Sequence, residues 1–456
     1  MEDTIAAIAT PVGEGGIGII RISGEKSKDI LDKIFRRPSQ GELEGRKLTY
    51  GHIKDPDTGA ILDEVLAVFM KGPKTYTAED VVEINCHGGT IPLKRVLQLV
   101  LSQGARMAEP GEFTKRAFLN GRLDLSQAEA VIDVIRAKTD KSFDVAMDTL
   151  TGAVSETVGS IRKNLVDILV NLTVNIDYPD EDIEEVNYRQ LSQSLNQVDD
   201  DIQLLLEGSK TGKIIREGVN IAIIGKPNVG KSSLMNNLLR EARAIVTEIP
   251  GTTRDTIEEY INIKGIPVKI TDTAGIRETQ DIIEKIGIEK SKKSFNQADL
   301  VIFIVDITRP LDEEDRGILS RIRTENTLVI MNKQDQENRL DPEDEKQIRS
   351  EFKCMDVSMK NMKDTMRIEE EIYQMVTGGN VTVDNRNIIT NARHIEALNK
   401  AHSSIGDAIG ATEAGEPFEI IEIDVSSAYE YLGFITGESV NQDIIDQVFS
   451  RFCLGK

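Results

Sequence analysis

Residues 221–240 read IAIIGKPNVGKSSLMNNLLR, and no other stretch limits the fold as tightly. An apolar, β-branched run leads into Gly225-x-x-x-x-Gly230-Lys231-Ser232, and a helix-favouring segment follows. Glycines let successive backbone N–H groups curl around a phosphate, and a helix N-terminus adds partial positive charge. Lys231 at this spacing reaches β and γ phosphates, and the Ser232 hydroxyl suits Mg²⁺. A bare Gly-rich turn is the competing reading. The strand before the loop and the helix after it favour the phosphate cradle, which predicts a P-loop inside an α/β domain.

Three further segments follow in an order that selects the nucleotide. PVKITDTAG puts Asp272 at a strand end, where a carboxylate can hold Mg²⁺ through water, followed by Thr273, Ala274 and Gly275, which lets backbone approach the γ phosphate. LVIMNKQD places Asn332, Lys333 and Asp335 after a buried strand, and DVSMK supplies Ser358 and Lys360. A carboxylate at Asp335 accepts from guanine N1–H and N2–H₂. Adenine lacks that donor pair, so a carboxylate facing it is left unpaired, which costs affinity steeply. NKxD alone is a weak signal, but the ordered set predicts GTP binding by Asn228, Val229, Gly230, Lys231, Ser232, Ser233 and the later motifs. Hydrolysis also needs an oriented water and positive charge at the transferred phosphoryl group. Ile276 follows the DTAG motif and can orient no water, and no arginine declares itself as a finger.

The chain has 456 residues, enough for roughly three domains. Residues 1–118 mix short β-rich runs with two helical stretches and predict a small α/β domain. Residues 119–217 turn helical, with Leu195, Val198, Ile202 and Leu205 at helix spacing. Strands alternate with helices over 218–377, and helices return over 378–456, where Ile395, Leu398, Ile405 and Ile409 form a stripe. One amphipathic helix cannot bury its stripe alone, so the expectation is a helical domain interrupted by an inserted Ras-like P-loop domain. The acidic run from Asp177 to Glu185 reads as a solvated loop.

The net charge of −22 argues against nonspecific nucleic-acid binding, which needs clustered lysine and arginine. A basic partner could still supply that field. The opening residues lack the basic region of a signal peptide, and no apolar run approaches the roughly 18 residues of a membrane span. Cys86, Cys354 and Cys453 are too few and too scattered for a disulfide framework or zinc ribbon, which points to the reducing cytoplasm.

GKPNVGKSSLMN, IVTEIPGTTRDT, DTAGIRE with IEKIGIEKS, TNARH and FCLGK together resemble the MnmE family of tRNA modification GTPases. The resemblance runs from ATPVGEGGIGIIRISG to FCLGK and so covers essentially the whole chain. It implies that GTP is also contacted by Thr247, Glu248, Ile249, Pro250, Gly251, Thr252 and Thr253. It implies a homodimer whose GTPase domains meet around K⁺, held by the Asn228 side chain and the carbonyls of Thr247, Ile249 and Thr252, in place of an arginine finger. Mg²⁺ would be held by Ser232 and Thr253, and the water-orienting acid would be Glu284, which on its own reads as one acid in a charged helix.

The family resemblance also likens the N-terminal domain to the folate-binding domains of one-carbon enzymes. It places 5-formyl-tetrahydrofolate or a related folate on Arg21, Glu83, Arg122 and Lys456. A carboxylate such as Glu83 can accept two adjacent pterin N–H donors, and basic groups suit the glutamate tail. Gly13, Gly15 and Gly18 also match GxGxxG, read here as a tight turn. The implied reaction adds a carboxymethylaminomethyl or aminomethyl group to C5 of the tRNA wobble uridine. It would proceed with an MnmG-type partner using FAD and NADH, in a heterotetramer or larger assembly. Met359 stands where alanine is usual and Leu454 where isoleucine is common, neither of which disturbs the expected contacts. A ribosome-assembly or regulatory GTPase switch is the alternative reading. Cys453 reads either as small apolar filler or as a thiol near the one-carbon group.

Overall fold

The computed structural model describes residues 3–38, 44–177, 188–241, 260–272, 298–378 and 388–456. The acidic run expected as a loop lies outside them from residue 178 onward.

The N-terminal part builds β1 (Ile5–Ile8), β2 (Gly18–Ser23), α1 (Ser27–Ile34), β3 (Phe35–Arg36), β4 (Thr49–Lys54), β5 (Ile61–Met70), β6 (Val81–Cys86), α2 (Thr90–Ser102) and β7 (Arg106–Met107). The strands form one sheet in the order β3-β4-β5-β6-β2-β1-β7, antiparallel except where β7 joins β1. Alternation sets its two faces. Ile20, Ile22, Val82 and Ile84 point into a core closed by Ile30, Leu31 and Ile34 of α1 and Leu93, Val96 and Val100 of α2. Arg21 and Glu83, paired across β2 and β6, are half-exposed on the other face.

Helices follow: α3 (Glu112–Leu119), α4 (Leu125–Arg136), α5 (Asp140–Leu150), α6 (Ala153–Asp177) and α7 (Tyr188–Glu217). Asp124 starts α4 through a capping box: its carboxylate accepts from Gln127 N at 2.9 Å while Gln127 Oε1 accepts from Asp124 N at 3.1 Å. The chain then forms a second sheet from β8 (Val219–Ile224), β9 (Tyr260–Ile263), β10 (Ile266–Asp272), β11 (Leu300–Asp306), β12 (Thr327–Asn332) and β13 (Lys353–Val357). Its order is β13-β12-β11-β8-β10-β9, parallel except for the β9–β10 hairpin. All seven residues of β11 and all six of β12 are buried, as befits strands covered on both faces. The helices of this unit are α8 (Lys231–Glu241), α9 (Glu313–Leu319), α10 (Pro342–Glu351) and α11 (Met362–Thr377).

The chain then returns to helix in α12 (Ala392–Ala414), α13 (Phe418–Thr436) and α14 (Gln442–Phe449). Leu398, Ala401 and Ile405 of α12 and Ile421, Val425 and Leu432 of α13 share one core with Val158, Leu165 and Leu172 of α6 and Leu195, Val198 and Ile202 of α7. Each fully buried side chain of this kind contributes about 1.5–3 kcal/mol relative to exposure. The strand-bearing unit is therefore an insertion between two halves of one helical bundle.

The TNARH stretch is the seam of this insertion. Arg216, near the end of α7, bonds Asp133 of α4 at 2.9 Å and the Thr390 carbonyl at 3.4 Å. Asn391 caps α12, Arg393 grips Glu129 of α4 at 3.0 and 2.7 Å, and buried His394 meets the same carboxylate at 2.8 Å. A Cβ on Gly212 of α7 would collide with the Ile389 carbonyl, so the two ends of the insertion lie backbone against backbone.

Candidate functional site

β8 delivers the chain to the P-loop and α8 leaves it. Asn228 in the loop takes a positive φ of 63° and is exposed, while Val229 beside it is buried. Lys231 Nζ folds back onto the carbonyls of Gly225 and Lys226, each at 2.6 Å. A bound phosphate would draw the Lys231 ammonium away from these carbonyls, with backbone N–H groups of the loop as the other donors. The hydroxyl residues Ser232 and Ser233 stand exposed on the first turn of α8.

The guanine motif is assembled around Asn332. Its Nδ2 donates to the Val229 carbonyl at 2.7 Å, tying the end of β12 to the P-loop. Its Oδ1 accepts from Lys333 N at 2.7 Å and Met359 N at 3.1 Å. The Met359 contact is thus made by backbone, and its side chain's departure from alanine leaves it intact. Asp335 accepts from Ser358 Oγ at 2.8 Å on one oxygen and from Lys360 Nζ at 2.6 Å on the other. The Lys360 ammonium, and then the Ser358 hydroxyl, hold the Asp335 carboxyl below its usual range. It is therefore ionised at neutral pH, and each oxygen keeps a lone pair for a second donor.

One acid of this site, Asp306, carries no motif signature. Lys333, with φ 73°, places its Nζ 2.5 Å from Asp306 Oδ2 at the end of β11. Burial raises the Asp306 pKa, and hydrogen bonds from Lys333 and Thr308 outweigh it, leaving it lowered. Only the parallel pairing of β11 with β12, which sets Asp306 beside Asn332, brings that acid to the site.

Asp272 closes β10 in register with Ile223 of β8, the neighbouring strand that feeds the P-loop. Thr247, Glu248, Ile249, Pro250, Gly251, Thr252, Thr253, Thr273, Ala274, Gly275 and Glu284 lie outside the described residues. Ser232 offers a hard hydroxyl oxygen and Asn228 a hard amide oxygen, donor types that suit Mg²⁺ and K⁺ respectively.

A second polar cluster forms on the open face of the N-terminal sheet. Arg21 Nε meets Glu83 Oε1 at 2.9 Å, and its Nη1 reaches the Gly455 carbonyl at 3.4 Å. Tyr76, which no sequence pattern marks, lies beneath two guanidinium groups, Arg122 at 4.8 Å and Arg21 at 5.5 Å from its ring centre. Arg122 also bonds the Tyr76 carbonyl at 3.1 Å. Such pairing of cations with an aromatic face supports a flat, partly anionic ligand.

Residues 450–456 reach this cluster along α3. Phe452 is buried with Phe449 of α14 and Leu125 of α4. Gly455 takes φ +89°, and a Cβ there would collide with the Ile8 carbonyl, so only glycine lets the segment lie this close to β1. Phe113 N donates to the Lys456 carbonyl at 3.2 Å. Cys453 is exposed, which corrects the reading of it as apolar filler: Phe452 fills the core, and the thiol faces out. A cavity of about 650 Å³ between α4, α5, α7 and α14 is lined by none of the candidate site residues.

The family description "MnmE helical domain" matches residues 125–453, and "GTP-binding protein TrmE N-terminus" matches residues 4–122. The chain belongs to the MnmE family. The protein called tRNA modification GTPase MnmE in Alkaliphilus oremlandii is 51% identical over 100% of both chains. Its namesake in Clostridioides difficile is 49% identical over 100% of both. That of Lactiplantibacillus plantarum is 49% identical over 100% of this chain and 98% of its own. The MnmE helical match brackets β8 to β13, as the split bundle does. Among the described residues, no helix is long and apolar enough to cross a membrane.

Proposed function

We propose that this chain is a GTP-hydrolysing protein of tRNA modification, acting at C5 of the wobble uridine. The observation that carries the reading is the ionised Asp335 held by Ser358 and Lys360 beside an intact P-loop, together with full-length similarity to proteins named tRNA modification GTPase MnmE. Asp335 would read guanine, Lys231 would hold the β and γ phosphates, and the backbone N–H groups at the start of α8 would cradle them. Mg²⁺ on Ser232 and Thr253 would neutralise phosphate charge. K⁺ on Asn228 and the carbonyls of Thr247, Ile249 and Thr252 would supply the charge that an arginine finger would otherwise bring. The domains of two copies would pair around that ion, and Glu284 would orient the attacking water.

The cluster of Arg21, Glu83, Tyr76 and Arg122 supports a folate site. Glu83 would accept pterin N–H groups, the Tyr76 face would support the ring, and Arg122 with Lys456 would face the glutamate tail. The exposed Cys453 thiol would lie near the one-carbon unit. A flavin- and NADH-using MnmG-type partner would carry much of the tRNA contact, which fits the net charge of −22.

The test is mass spectrometry of tRNA nucleosides from cells lacking this protein. Wobble uridines without the carboxymethylaminomethyl or aminomethyl group at C5 are expected. Normal nucleosides there would favour the regulatory GTPase switch.

A further inference from the structure

The β9–β10 hairpin is gripped by a helix that belongs to the other unit. Its two-residue turn is Lys264–Gly265, with φ of 51° and 88°, both in the left-handed region that such tight hairpins require. The Gly265 carbonyl accepts from Thr139 Oγ1 at 2.7 Å. Thr139 is buried and is also the N-cap of α5, its Oγ1 accepting from Ser142 N at 3.1 Å. One hydroxyl therefore spends its acceptor on its own helix and its single proton on the neighbouring unit. Lys138 Nζ sits 3.4 Å from the ring centre of Tyr260, the first residue of β9. A Cβ on Gly265 would press on the Lys141 side chain of α5 at 2.9 Å, so the turn lies flat against that helix.

The position of this contact matters for what lies at the far end of the strand. β10 runs unbroken from the turn to Asp272, about 20 Å at the rise of an extended chain. Among the described residues β9 is the edge of its sheet, with no further strand supporting the hairpin from outside. Within its own unit the turn is tied by the ion pair of Lys264 with Glu370 of α11. The Thr139 and Lys138 contacts supply the support from the helical side.

We propose that Thr139, with Lys138, is a positioning residue for GTP hydrolysis from outside the GTPase fold: it fixes the hairpin whose other end carries Asp272. The inference rests on the GTPase reading and extends it to a helix that touches no nucleotide. Phosphoryl transfer depends on positioning to within a fraction of an ångström. Loss of the latch therefore acts on turnover, while guanine and diphosphate binding, which use the P-loop and Asp335, stay as they are.

The experiment compares the full chain with Thr139→Asp, Thr139→Ser and Lys138→Leu. Aspartate keeps the cap of α5 but, ionised, has no proton for the Gly265 carbonyl, whereas serine keeps both functions. Lys138→Leu leaves the cap untouched and so reports on the latch even if a carboxylate at position 139 impairs folding. Thr139→Asp and Lys138→Leu are expected to lower kcat roughly two- to tenfold, the span of a single hydrogen bond, with KM and GDP affinity unchanged. Thr139→Ser is expected to turn over like the unsubstituted chain. Unchanged kcat in both variants, or equal losses in kcat and GDP affinity, would overturn the proposal. Absent turnover in the unsubstituted chain would instead remove the GTPase reading itself, and the inference with it.

Discussion

The guanidinium of Arg21 hydrogen-bonds the carbonyl of Gly455, joining β2 to a segment 434 positions later in the chain. The N-terminal cluster is therefore built from both extremes of the described sequence, and Gly455 lies against the Ile8 carbonyl where no Cβ fits.

Substituting Gly455→Ala places a methyl group against the Ile8 carbonyl and forces a left-handed backbone on alanine, a penalty of about 1–3 kcal/mol. Binding of 5-formyl-tetrahydrofolate, followed by calorimetry, is expected to weaken about tenfold or more. GTP turnover is expected to stay unchanged. Folate affinity equal to that of the unsubstituted chain would separate residues 453–456 from the site.

Asp335→Asn replaces two acceptors with one acceptor and a donor. Affinity for labelled GDP should fall about 100-fold or more, because guanine N1–H and N2–H₂ lose their carboxylate. Xanthosine diphosphate, which carries a carbonyl in place of the 2-amino group, should bind the variant better than the original chain. An unchanged preference for guanine would take Asp335 out of base recognition.

Turnover in KCl should exceed turnover in NaCl, and Asn228→Ala should abolish the difference. The expected loss is about a hundredfold, comparable to removing one preorganised charge-stabilising group. Equal rates in the two salts would rule out an ion on Asn228.

Asp133 gives the chain a pH signature. Burial on α4 raises its pKa to about 6, from an ordinary value of 3.8, against the opposing pull of Arg216. A carboxyl with a raised folded-state pKa stabilises most below the unfolded value, and that contribution is lost as pH rises through about 6. Relative to Asp133→Asn, the original chain should therefore lose up to about 3 kcal/mol between about pH 4 and pH 7. Urea midpoints of the two proteins across that range measure it, and a pH-independent gap would show that Asp133 titrates normally.

Much of this architecture is written locally. The P-loop, the NKxD run and the apolar spacing of α6, α7 and α12 depend on neighbours within one turn or one strand, so the sequence discloses them. Asp306 does not, because LVIFIVD reads as a buried strand ending in one more acid until parallel pairing sets it beside Lys333. Tyr76 and Thr139 are likewise silent, each being defined by a partner from a distant segment. In α13, FEIIEIDV carries the β-branched residues of a strand, and only packing on α6 and α12 makes it a helix.

The seam at Gly212 and Ile389 ties two folding problems together. Were the inserted unit unfolded, joining the halves of the bundle would mean closing a loop on the order of 170 residues, at an entropic cost of about 5 kcal/mol. A folded insert holds its two ends side by side and removes that cost before the bundle forms. Any nucleotide that tightens the insert should then raise the melting temperature of helices it never touches, by mass action through a shared backbone.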